Sequence, residues 1–196
     1  MTSPRSAYVI APALFGAYGV IRLLDGLDGV KGPGLAWTAG HLCFLVGLGF
    51  FVRAFVAMRA AAGRSDRWAT GGLVAAVAGS CALAVQFGVD IVTGLMADGS
   101  HAEMARLSDS FGSLPGAELA FYAVGPMFFF IGQVVLALRL YALRRLPLWA
   151  PCLVFAASLL PLTTKDLIPL GAVLLLLGYA PLWWRPSASR TALTSA

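Results

Sequence analysis

The sequence predicts an all-α integral membrane protein, a compact bundle of six transmembrane helices with both termini in the cytoplasm. Three observations predict it. Of its 196 residues 59% are hydrophobic and only 12% are charged, about half the charged share of an average soluble domain. The mean hydropathy is +0.83. The charges that remain gather at the ends of long apolar runs, as membrane topology signals do.

A helix needs about 20 mostly apolar residues to cross the hydrocarbon core. No water satisfies the backbone there, and nothing in the chain alternates as barrel strands do, so each crossing segment is expected to be helical. The first span is residues 7–24. Its start, Met1-Thr2-Ser3-Pro4-Arg5, has the look of a signal peptide, but the apolar part runs too long and five more apolar runs follow. The second and third spans are residues 35–58 and 68–96. A loop over residues 97–116 carries Ser100-His101-Ala102-Glu103 and is expected to form a short amphipathic helix over the external mouth. The fourth span is residues 117–143, the fifth 148–162 and the sixth 167–184, the last two joined by the tight turn Thr163-Thr164-Lys165-Asp166. Gly40, Gly47, Gly72, Ala76, Gly79, Gly125 and Gly132 supply small surfaces on which helices approach closely in lipid. With no internal repeat and no long linker, residues 1–196 form a single transmembrane domain.

Charge alternation sets the orientation. One side carries Arg59, Arg64 and Arg67, then Arg144 and Arg145, with Arg5, Arg185 and Arg190 in the tails. The other side carries Asp25, Asp28 and Lys31, then Asp98, Glu103, Arg106 and Asp109, then Lys165 and Asp166. The positive-inside bias places the arginine-rich side and both termini in the cytoplasm, with Trp68, Trp149, Trp183 and Trp184 at that boundary. Arg53 and Arg139 lie close enough to it to snorkel. The net charge of +5 forms no basic stripe, so nucleic acid is not an expected partner. Cys43, Cys81 and Cys152 make neither a disulfide framework nor a metal knuckle and read as small buried hydrophobes.

Asp90 stands out from this frame. It lies within the apolar run 83–96, where a carboxylate costs about 2.5–3.5 kcal/mol to insert. Gln86, Asp90 and Thr93 share one helical face. His41 lies at similar depth on the second span, and Glu118, Tyr122, Pro126, Phe129 and Gln133 form a stripe on the fourth. The polar groups therefore converge on the outer half of the bundle. Several have structural readings: Arg22 as an ion-pair partner of Asp25, Lys165–Asp166 as a helix cap with Thr163 or Thr164, Glu118 as a first-turn acid, Pro126 and Pro169 as kinks, and Asp90 as an ion pair with Arg22 or Lys165. His41 and His101 are the only histidines, and Glu-x-x-His pairs, phosphate loops and nucleophile elbows are absent. Asp25 and Asp28 have the spacing of a magnesium-diphosphate motif but no second aspartate-rich segment accompanies them. The sequence calls for no metal and no cofactor.

A carboxylic acid in a dry site can stay protonated near neutrality and act as a general acid. Tyr18, Trp37, Phe44, Phe87, Tyr122, Phe128, Phe129 and Phe130 surround Asp90 in sequence depth, and aromatic faces stabilise cations without attacking them. That combination suits cyclisation of a polyprenyl chain started by protonation of its terminal alkene (or epoxide). With Asp90 in Phe87-Gly88-Val89-Asp90 and Glu118 in Ala117-Glu118-Leu119-Ala120-Phe121-Tyr122, the chain resembles the small bacterial integral-membrane terpene cyclases, which cyclise farnesylated indoles and related meroterpenoid precursors. The resemblance implies a multi-pass protein of the bacterial plasma membrane, a prenylated lipid-like substrate rather than a soluble diphosphate, and no metal to ionise one. On this reading Asp90 is the proton donor and Glu118 tunes it or takes the final proton. Tyr122, Phe129, Trp37, Phe87, His41, Gln86 and Tyr18 then line the cation pocket. A proton-coupled transporter, with Asp90 as relay, and a structural or accessory membrane subunit are the readings from other classes.

Overall fold

A computed structural model of the chain describes residues 4–27, 29–63 and 65–184. The elements run α1 (Pro4–Asp25), α2 (Leu35–Ala62), α3 (Arg67–Met96), α4 (His101–Gly112), a π-helical turn (Glu118–Ala123), α5 (Val124–Ala142), α6 (Trp149–Thr163), a 3-10 turn (Lys165–Leu167) and α7 (Ile168–Trp183). No strand occurs among the described residues. Five segments are long and apolar enough to cross a membrane: Arg5–Asp25, Leu35–Ala62, Arg67–Met96, Glu118–Ala142 and Lys165–Trp183. The 15 residues of α6 reach only about 22 Å at the helical rise. Asp28, Arg64, Arg185 and Arg190, used above to read orientation, lie outside the described residues.

Six helices close into a ring in which α1 packs on α2 and α7, α2 on α3, α3 on α5, α5 on α6 and α6 on α7. The small residues expected at helix contacts set the tightest of these seams, between α3 and α5. A Cβ on Gly132 would stand 2.6 Å from the Gly72 carbonyl oxygen and from the Ala76 Cα, and one on Gly79 would stand 2.6 Å from the Phe129 Cα. Backbones that close exclude any side chain. The approach carries Phe129 into the centre of the ring, where its centroid lies 5.1 Å from Phe51 and 5.5 Å from Phe55. Beside it a buried polar clamp ties three helices. The Gln133 amide donates to Ser158 Oγ at 2.9 Å, and the Tyr179 hydroxyl donates to Gln133 Oε1 at 3.1 Å. Gln133 therefore belongs to the packing of α5, α6 and α7 rather than to the stripe beneath Glu118.

At one end of the bundle Asp66 does two tasks. Its Oδ1 accepts from the Ala69 amide at 2.9 Å, capping α3, and its Oδ2 accepts from Arg139 Nε at 2.6 Å, tying α3 to the last turns of α5. Arg139 is thus held by an acid rather than snorkelling free. The Ala69 amide, helped by Arg139, holds the Asp66 carboxyl below the usual carboxylate range. A group with a lowered folded value stabilises the fold fully above its unfolded value and loses that contribution as pH falls through the folded one. Unfolding measured against pH in detergent is accordingly expected to show an acid-side loss beginning below about pH 4. Asp66→Asn should remove that part of the dependence. An unchanged acid profile in the variant would remove Asp66 from the account.

Two sequence expectations change here. Cys81 and Cys152 are exposed on the outer faces of α3 and α6, and Cys43 is half-buried. Pro169 sits in the first turn of α7, where its missing N–H leaves no hydrogen bond unmade. Pro126 does accompany a distortion: a proline ring clashes with the carbonyl four residues back, and the π-helical turn Glu118–Ala123 lies just ahead of it. The 97–116 loop forms the short helix α4, whose first turn is capped by Ser100 accepting from the Glu103 amide at 3.3 Å. It rests on the end of α3 and places Phe111 6.0 Å from Phe121 and 6.3 Å from Tyr122.

Candidate functional site

At the opposite end from Asp66, the ring of helices encloses a cavity of about 180 Å³. Helix α1 contributes Phe15, Tyr18 and Arg22; α2 contributes Trp37, His41 and Phe44; α3 contributes Leu83, Gln86, Phe87 and Asp90. The π-helical turn and α5 close it with Tyr122, Pro126, Met127, Phe129 and Phe130, and the α6–α7 hairpin with Pro161, Leu162, Lys165 and Ile168. Leu162 and Lys165 of the hairpin are exposed, so this part of the cavity wall lies at the surface.

Asp90 is fixed by its neighbours on α2. His41 Nε2 stands 3.6 Å from Asp90 Oδ2, and the other ring nitrogen, Nδ1, is 2.7 Å from the Trp37 carbonyl oxygen. The Trp37 indole N–H in turn donates to the Asp90 carbonyl oxygen at 3.1 Å. Gly94 makes this possible, since a Cβ there would stand 3.0 Å from Trp37 Nε1. The Thr93 hydroxyl donates to the same Asp90 carbonyl at 3.3 Å and accepts from Ser108 of α4 at 3.4 Å. The side chain of Asp90 keeps 18% of its surface exposed, so it is sheltered but reachable from the cavity.

The remaining wall is aromatic. Phe87 stacks on Phe44 with centroids 4.0 Å apart, and Tyr18 meets Phe87 edge-on at 5.2 Å. Trp37 lies 4.1 Å from the His41 ring and Phe87 4.9 Å from it. Among the described residues, the buried Tyr122 hydroxyl and Arg22 Nε have no hydrogen-bond partner, and both side chains line the cavity. Buried donors without partners are uncommon in native folds.

Of the residues singled out in the sequence, Tyr18, Trp37, His41, Gln86, Phe87, Asp90, Tyr122 and Phe129 all line this one cavity. Glu118 does not. It is exposed and lines a separate open cleft with Ser108, Asp109, Gly112, Ser113 and Tyr122, so Tyr122 forms the wall between Glu118 and the cavity. The expected ion pairs also differ. Arg22 reaches Asp166 at 3.9 Å instead of Asp25, and Lys31 binds the same carboxylate at 2.7 Å. The Asp90 carboxylate meets His41, with neither Arg22 nor Lys165 paired to it. Thr164 caps the 3-10 turn as expected, its hydroxyl accepting from the Asp166 amide at 3.3 Å. The sequence reading missed Phe15, Leu83, Met127, Pro161, Leu162 and Ile168, apolar residues in apolar helices that carry no signal of their own. A larger open hollow of about 770 Å³ at the Asp66 end is lined by Tyr141, Ala142, Arg144, Leu146, Pro147, Trp149 and Pro181. It offers no acid or imidazole.

No group of three His, Cys, Asp or Glu side chains able to hold a metal ion occurs among the described residues. Compared with family profiles, characterised proteins and solved structures, the chain has no significant match.

Proposed function

We propose that the chain is a membrane-embedded terpene cyclase that protonates the terminal alkene of a prenylated aromatic substrate and guides the carbocation to a ring. One observation carries the reading: a carboxyl whose ionisable partner among the described residues is an imidazole, set in the wall of an aromatic-lined cavity. The O–H of protonated Asp90 gives its proton to an alkene carbon, forming a C–H bond and leaving a cation on the neighbouring carbon. A second double bond of the substrate attacks that cation and closes the ring. Phe87, Phe44, Trp37 and Tyr18 stabilise the positive charge through their ring faces and expose no strong nucleophile to capture it. Loss of a proton from carbon ends the sequence and returns the proton to the carboxylate. The product is an isomer of the substrate.

The cavity's size supports binding of one end of such a molecule. Ligand pockets for whole drug-sized molecules run to ~300–1,000 Å³, so about 180 Å³ suits the reacting isoprenoid units. The rest of the substrate lies outward past the exposed Leu162, where lipid is the natural neighbour. Tyr122 separates Glu118 from the cavity, so Glu118 takes no direct part in the proton transfer.

The wider arrangement follows from charge. All six helices of the ring cross the plasma membrane, the short α6 included, and the arginine-rich Asp66 end faces the cytoplasm with both termini. The cavity then opens in the outer half of the bilayer, close to where a lipid-borne substrate resides. Membranes carrying the protein, given farnesylated and geranylated indoles and phenols, are expected to yield cyclic isomers separable by chromatography at unchanged mass. Membranes lacking the protein should yield none.

A further inference from the structure

We infer that His41 is the positioning residue of this site: its Nε2 accepts a hydrogen bond from protonated Asp90 and so both stores and aims the acid proton. The inference rests on the reading of Asp90 as the acid, and it follows from the hydrogen that the Trp37 carbonyl requires on the other ring nitrogen. A carbonyl oxygen only accepts hydrogen bonds. His41 Nδ1, 2.7 Å from the Trp37 carbonyl, therefore carries a hydrogen. In a neutral imidazole the other nitrogen is then a bare lone pair, and that lone pair faces Asp90 Oδ2 at 3.6 Å. Against a carboxylate anion it would oppose acceptor to acceptor. Against a protonated carboxyl the two are complementary.

The imidazole cannot turn to escape this pairing. His41 is only 3% exposed. Trp37 lies at 4.1 Å, Phe87 at 4.9 Å and Tyr18 at 5.6 Å from its centroid, and the Trp37 carbonyl holds its far nitrogen. Trp37 also anchors Asp90 through the indole N–H, so one residue sets both members of the pair. The 3.6 Å separation exceeds a hydrogen bond by roughly half an ångström, as catalytic contacts often do before substrate closes the site. A small rotation of the carboxyl makes the contact or points the proton into the cavity. Tyr18 and Arg22 from α1, Gln86 from α3, Tyr122 from the π-helical turn and Lys165 from the hairpin are the other polar groups on this cavity.

The chain has two histidines, which makes the tautomer directly readable. His101 is exposed on α4, outside the cavity, so His101→Gln leaves one imidazole. With ¹⁵N-histidine in that variant, in detergent at neutral pH, NMR is expected to show Nδ1 protonated and Nε2 unprotonated. Asp90→Leu should shift the Nε2 resonance toward that of a free lone pair and leave Nδ1 unchanged. An Nε2-protonated ring, an imidazolium, or an Nε2 resonance indifferent to Asp90→Leu overturns the inference. The tautomer needs no substrate, so absence of cyclisation would count against the cyclase reading while leaving this result legible. Where turnover is measured, His41→Gln keeps an acceptor and should hold kcat within about tenfold, whereas His41→Phe keeps only the ring packing and should lose about 100-fold in kcat at similar KM. Equal activity of the two variants would reduce His41 to a packing residue.

Discussion

Asp90→Asn is expected to lower cyclisation by about 10²–10⁴-fold and to leave the protein folded and monodisperse in detergent. The amide is nearly isosteric and keeps the polarity of the site, but it cannot give up a proton to an alkene. The backbone contacts that fix residue 90, from the Trp37 indole and the Thr93 hydroxyl to its carbonyl oxygen, survive the change. Loss of activity without loss of fold separates a proton donor from a polar residue kept for packing. Turnover equal to the parent protein would remove Asp90 from the mechanism.

The largest effect on stability is expected at Gly132. Its Cβ position is occupied by the backbone of α3 at Gly72 and Ala76, so Gly132→Leu has no rotamer that avoids a collision. Overpacking a core costs about 1–3 kcal/mol when side chains can shift, and here rigid backbone stands in the way, so α3 and α5 must separate. That separation would draw Phe129 from Phe51 and Phe55 and open the floor of the cavity. Heating in detergent with monodispersity as the readout should show aggregation at markedly lower temperature than the parent. Gly49, whose Cβ would meet nothing within 4 Å, is the control: Gly49→Leu should behave as the parent does. Equal tolerance at both positions would contradict the packing described for this seam.

Much of this was legible in the chain because long apolar helices announce themselves. The apolar runs matched α1, α2, α3, the π-helical turn with α5, α6 and α7 to within a few residues, since length and hydropathy alone decide such helices. Matching polar residues by depth also placed His41, Gln86, Asp90 and Tyr122 together, because straight antiparallel helices of known span hold their registers. Glu118 escaped that logic for a local reason. Glu118 and Tyr122 do share one cleft, but Glu118 stands exposed at the start of the π-helical turn, and only Tyr122 reaches through to the cavity. The pairing of Asp66 with Arg139 and of Arg22 with Asp166 joins residues far apart in sequence. Only the closing of the ring brings them together.

The most direct test of the central claim is cyclisation in heavy water. Membranes carrying the protein are incubated in D₂O with a panel of farnesylated and geranylated indoles and phenols, and products are examined by mass spectrometry and NMR. A cyclase that starts by protonation should give a ring product carrying one deuterium on the carbon that was the CH of the terminal alkene, with the same yield when a chelator is present. A product without that deuterium, or no cyclic isomer from any member of the panel, would contradict the assignment of Asp90 as the acid that opens the reaction.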